Sequence, residues 1–126
     1  MIKKIFVTIF LIIFVSVNAY SAGSSDGGSG DSKSNYDKAI SLVKAAKKHE
    51  KNGKIKKANK SYKKAQKLLL KSNSEKPNKA NTLNYLGFTT RKLGDYENGE
   101  KYYLQGLEIE PNHIGINEYL GELYVA

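Results

Sequence analysis

The chain has 126 residues, 40% of them hydrophobic, a formal net charge of +9, two histidines and no cysteine. That length supports one small domain, and the missing thiols exclude a disulfide framework, a thiolate metal site, a thiol nucleophile and a lipidated cysteine. Stability has to come from packed apolar side chains.

Lys3 and Lys4 precede an apolar run from Ile5 to Val17, and Asn18-Ala19-Tyr20-Ser21-Ala22 follows with small residues. A basic start, an apolar stretch and a small-residue site are the parts of a secretory signal, predicted over residues 1–21 with cleavage before Ala22 or, alternatively, after Ala19. The thirteen residues of this run, rising about 1.5 Å each, cover about 20 Å, short of the roughly 30 Å hydrocarbon core, which disfavours an uncleaved anchor. The expected location is exported, either periplasmic or secreted.

Residues 22–35 open with AGSSDGGSGDSKS, a stretch with almost nothing apolar to bury, and read as a flexible tether. No strand precedes these glycines and no GKS or GKT follows, so they do not form a phosphate loop.

From Tyr36 the apolar spacing becomes helical. Tyr36, Ala39, Ile40, Val43 and Ala46, then Ile55, Ala58, Tyr62, Ala65, Leu68 and Leu69, recur at intervals of three and four. Asn52-Gly53 separates the two helices, with glycine suited to the left-handed turn that ends the first. A second pair runs from about Asn81 to Leu93 and from Tyr96 to Ile109, broken at Gly94-Asp95 and stopped by Pro111. The hairpins align at an offset of 41: Leu42 with Leu83, Gly53 with Gly94, Ala58 with Gly99, Tyr62 with Tyr103, Ala65 with Gly106. Asn117 to Gly121 then echoes Leu83 to Gly87 at an offset of 34, so the period is 34 with seven residues inserted once. The insertion amounts to about two helical turns and keeps the face in phase, with Pro77 ending it.

In residues 80–113, Leu83, Leu86 and Gly87 supply two large and one small position of the first helix. Gly94-Asp95-Tyr96 supplies the turn, and Gly99, Tyr103, Gly106 and Pro111 the second helix and its stop. On these residues the chain resembles the tetratricopeptide repeat family, whose 34-residue unit is an antiparallel helix pair. The resemblance implies an all-α fold of helix-hairpin repeats, an α-solenoid of about two and a half units. It comprises a divergent repeat at 36–79, a clear one at 80–113 and a lone first helix at 114–126. It also implies that Gly87 lets its two helices approach closely and that Gly99 and Gly106 relieve crowding. Thr90 stands where an aromatic is usual, which puts part of the packing between units in question. In the last helix Ile116, Tyr119, Leu120, Leu123 and Tyr124 form the apolar side, while Asn117, Glu118 and Glu122 face water. That helix is either a cap or the start of a further unit, and its exposed end suits a homodimer.

In this family the first helices line a concave surface that takes peptides, so the resemblance places Asn81, Asn84, Phe88, Arg91 and Lys92 there as ligand-binding residues. Asparagine can satisfy a peptide backbone, arginine can engage a carboxylate with two hydrogen bonds, and Phe88 offers apolar area. The plainer alternative is a solvated helix face with one partly buried Phe. Equivalent places in the first hairpin hold Ile40, Val43, Lys47, Glu50 and Lys51, and in the last helix Glu118, Glu122 and Val125.

Residues 36–72 hold thirteen lysines against two acids, a charge of +11, whereas residues 80–113 hold three basic side chains against five acids, a charge of −2. The basic hairpin could hold an anionic envelope surface of lipid or polymer, or be a solvated lysine face. Nucleic acid is not expected as a partner, since this hairpin lacks arginine and no recognition motif is present. His49 and His113 lie far apart, and no HExxH, GxSxG or EF-hand spacing occurs. No metal, no cofactor and no enzyme activity are expected. The sequence thus predicts a non-enzymatic adaptor or assembly factor that binds a protein or peptide on its concave face.

Overall fold

A computed structural model of the chain describes residues 32–126. The signal expected at 1–21 and most of the tether expected at 22–35 lie outside them. Five helices follow: α1 Asn35–Lys51, α2 Ile55–Glu75, α3 Ala80–Lys92, α4 Tyr96–Ile109 and α5 Ile114–Val125. The fold is all-α, an array of tetratricopeptide-like helical hairpins. α1 packs on α2 and α3 on α4, while α2 also packs on α3 and α4 on α5.

The helix ends are where local chemistry puts them. Ser34 caps α1 by accepting from the Asp37 N–H at 3.1 Å, so the first helix starts at Asn35, inside the range read as tether. Gly53 and Gly94 turn the two hairpins at φ +71° and +95°, a backbone region that suits glycine. Asp95 caps α4 by accepting from Asn98 N–H at 3.1 Å. His113 caps α5 through Nδ1, which accepts from Ile116 N–H at 3.1 Å. Such a cap contributes about 1 kcal/mol.

The inserted residues extend a helix. α2 has 21 residues against 14 in α4, so the whole seven-residue insertion is helical. Its extra turns bring Glu75 back to the start of α1, where it accepts from Asn35 Nδ2 at 2.9 Å. Pro77 and Asn78, the latter at φ +60°, then turn the chain into α3. Asparagine tolerates this left-handed conformation better than most side chains.

The core runs from Ala39, Val43 and Ala46 through Ala58, Tyr62, Ala65 and Leu69 to Leu83, Leu86, Phe88, Tyr103, Ile116 and Leu120. Thr90, where an aromatic was expected, is buried and accepts a 2.9 Å hydrogen bond from Gln66 Nε2 of α2. A hydrogen bond between units therefore stands in for aromatic packing. Tyr124, expected on the apolar side of α5, is 61% exposed and donates to Glu100 at 3.1 Å.

α3 and α4 approach so closely at Gly87 that a β-carbon there would run into the ring of Tyr103, which is fully buried. Overpacking of that kind costs about 1 to 3 kcal/mol. At Gly121 a β-carbon would meet nothing. Urea denaturation should therefore show Gly87→Ala lowering stability by about 1 to 3 kcal/mol and Gly121→Ala raising it by about 0.5 to 1 kcal/mol. A gain at Gly87 would mean that the helices are not held at this separation.

Candidate functional site

α3 lies between α1 and α5, and all but Tyr85 of its residues from Thr82 to Thr90 are buried. Of the candidate residues, Asn81 is exposed, Arg91 and Lys92 are half-buried, and Asn84 and Phe88 are buried. The inward residues divide into two groups along the helix.

Asn81 and Asn84, in the first turns, seat α5. Asn81 Oδ1 lies 2.6 Å from His113 Nε2. Because His113 Nδ1 accepts from the backbone, the ring proton is on Nε2 and donates to Asn81. Asn84 is 6% exposed and its amide fills the space left by the missing side chain of Gly115. Its Oδ1 is buried without a hydrogen-bond partner. Asn84 is thus closed off by α5, whereas Asn81 is exposed and engages α5 only through its Oδ1.

Phe88, Arg91 and Lys92 come together on the following turns, joined by residues from every other helix except α4. Phe88 is only 2% exposed. Its ring meets Tyr62 of α2 edge-on at 5.8 Å and Tyr119 of α5 at 4.8 Å. Three cations surround it: Lys47 Nζ at 4.6 Å, Arg91 at 5.6 Å and Lys92 at 5.7 Å from the ring centre. An aromatic face attracts such charges through its quadrupole. The apolar area expected of Phe88 is thus already occupied by side chains of this protein.

Two ion pairs flank the ring and link neighbouring units. Lys92 reaches Glu50 of α1 at 3.1 Å, and Arg91 reaches Glu122 of α5 at 3.0 Å. Glu122, read both as facing water and as standing at an inward position of the last helix, remains 57% exposed in that pair. A pair so exposed is worth at most about 1 kcal/mol, so it orients Arg91 more than it stabilises the fold. Glu50 also accepts from the Tyr62 hydroxyl at 3.0 Å. Lys47 meets no carboxylate among the described residues; its Nζ donates to Tyr119 Oη at 3.0 Å. The site therefore holds three cations against two acids.

Burial, the hydrogen bond to Glu50 and its charge hold the Tyr62 hydroxyl protonated well above the usual tyrosine range. Burial does the same for Tyr103, with Arg91 opposing part of the shift. Arg91 acts there by charge, since neither its Nε nor the Tyr103 hydroxyl finds a partner with hydrogen-bond geometry.

The sequence placed Phe88, Arg91 and Lys92 on the inward face, and the structure brings those three together. Lys47 and Glu50 stood at equivalent positions of the first hairpin, so their presence was readable from the repeat offset. Tyr62 and Tyr119 were read only as apolar packing, and their hydroxyls carried no signal of the bonds they make. Among the described residues no group of three His, Asp or Glu side chains could hold a metal ion.

An array of helical hairpins with polar and aromatic side chains meeting on its middle helix belongs to the class of repeat scaffolds. Residues 80–113, α3 and α4 with their flanking turns, match the tetratricopeptide repeat family. No curated protein matches the chain.

A proton held by the native state but not the unfolded one makes stability fall as pH rises. For Tyr62 and Tyr103 the loss begins near pH 10, where unfolded tyrosine ionises, and steepens above it. Urea midpoints measured from pH 9 to pH 11 should fall, and the fall should be shallower in Tyr62→Phe. An equal slope in that variant would contradict the protonated Tyr62 described above.

Proposed function

We propose that the protein is a non-catalytic adaptor or assembly factor that binds an extended protein segment bearing a carboxylate across α1, α3 and α5, over Phe88. Tetratricopeptide repeats mediate protein–protein interaction, and the match at residues 80–113 supports that class of function. One observation carries the choice of ligand. Lys47, Arg91 and Lys92 converge on the Phe88 ring, and Lys47 alone of the three has no carboxylate partner among the described residues.

An incoming carboxylate would replace the Tyr119 hydroxyl as the acceptor for Lys47. It exchanges a neutral acceptor for a charged one, and hydrogen bonds to charged groups contribute about 1.5 to 3 kcal/mol. Arg91 is held at 11% exposure by Glu122 and could turn its free Nε toward the same ligand. The partner would be met outside the cytoplasm, a reading that rests on Lys3, Lys4, the apolar run to Val17 and the small residues after it.

Selection from a random peptide library should enrich sequences with an acidic side chain or a free terminal carboxylate. Peptides so obtained should bind Lys47→Gln at least about tenfold more weakly than the unaltered protein, as judged by titration calorimetry. Enrichment without acidic character, or equal affinity for Lys47→Gln, would reject the carboxylate assignment.

A further inference from the structure

α2 carries seven lysines, Lys56, Lys57, Lys60, Lys63, Lys64, Lys67 and Lys71, and all seven are exposed. At 3.6 residues per turn they fall within an arc of about 120°, along about 22 Å of helix. Ala58, Tyr62, Ala65 and Leu69, the buried residues of the same helix, lie on the opposite side. The arc therefore points away from the core and does not include the surface around Phe88.

Among the described residues none of these lysines meets a carboxylate within salt-bridge distance. Many stand three or four residues apart, a spacing at which like charges repel and weaken a helix. The unaltered sequence places no acid in α2 before Glu75 to relieve this. Lys60, Lys63, Lys64 and Lys67 line a groove of about 480 Å³ together with Thr90 and Leu93. Asp95 also lines that groove, but its carboxylate is engaged by the backbone and side chain of Asn98.

We infer that the outer face of α2 is a docking surface for an anionic lipid bilayer, with phosphate headgroups along the lysine arc. Charge complementarity requires an anionic occupant, and three features favour a bilayer. The cations are all lysines, compact point charges that answer a diffuse negative surface, where arginine would supply bidentate recognition of a discrete group. No aromatic side chain on this face is available to stack on a base, because Tyr62 is buried. Leu70, 45% exposed, borders the arc and can enter the headgroup region.

The test is flotation or sedimentation of the full chain with vesicles of phosphatidylglycerol and phosphatidylcholine, against vesicles of phosphatidylcholine alone. Binding should require phosphatidylglycerol and disappear at high salt. A lysine close to an anionic surface changes the partition by about fivefold, so changing Lys60, Lys63, Lys64 and Lys67 together to Gln should weaken binding at least about a hundredfold. The same four changed to Arg keep the charge and should keep binding. Lys38, Lys44, Lys48 and Lys51 of α1 changed to Gln remove equal charge elsewhere and should weaken binding by less than about tenfold. Equal losses in the two Gln variants would overturn the assignment to α2, leaving net charge alone as the cause. So would absence of vesicle binding at low salt, or binding to soluble polyglutamate or polyphosphate in preference to vesicles.

Discussion

The arrangement of the repeats depends on the ring of Phe88. It projects from the middle helix and is met by Tyr62 from α2, Tyr119 from α5 and Lys47 from α1. Each contact crosses from one hairpin to another, so this single side chain joins all three units. A hairpin array has few long-range contacts by construction, since each unit touches only its neighbours. A shared aromatic centre supplies the lateral register that the period alone does not. The ion pairs on either side, Lys92 with Glu50 and Arg91 with Glu122, follow from it because they sit one turn beyond the ring.

The same centre sets the chemistry of the inward face. With Phe88 covered and Asn84 buried against α5, the groups left for a ligand are the charged ends of Lys47, Arg91 and Lys92 and the exposed Asn81, rather than apolar area. Recognition there would be governed by exchange of acceptors around Lys47 and Arg91. The outer face of α2 is governed by a different balance. Its lysines repel one another along a helix that tertiary packing of Ala58, Tyr62, Ala65 and Leu69 nonetheless holds. The inserted turns lengthen this helix at the end where Glu75 anchors it to Asn35.

The helices and their turns were legible because their signals are local. Apolar spacing marks the faces, Gly53 and Gly94 mark the hairpins, and the difference between offsets of 41 and 34 already contains the extra length of α2. Gly87 was legible as a close approach because its place in the repeat implies one, and Tyr103 is what it approaches. The near-complete burial of Phe88 was not legible. Its cover comes from Lys47 and Tyr119, 72 residues apart, and which residues of successive units face each other depends on how far the helices slide along one another. For the same reason Thr90 read as a missing aromatic, although Gln66 supplies a hydrogen bond in its place. The cap that His113 places on α5 was not legible either, since it depends on a ring orientation that composition does not encode.

The central claim is that Phe88 couples the hairpins energetically, and a double-mutant cycle between Phe88→Leu and Tyr119→Leu, followed by urea denaturation, tests it most directly. Aromatic pairs at this separation contribute about 0.5 to 1.5 kcal/mol beyond the area they bury, so the two losses should be non-additive by about 1 kcal/mol. Additivity within about 0.3 kcal/mol would contradict the account and leave the contact between α3 and α5 as incidental packing.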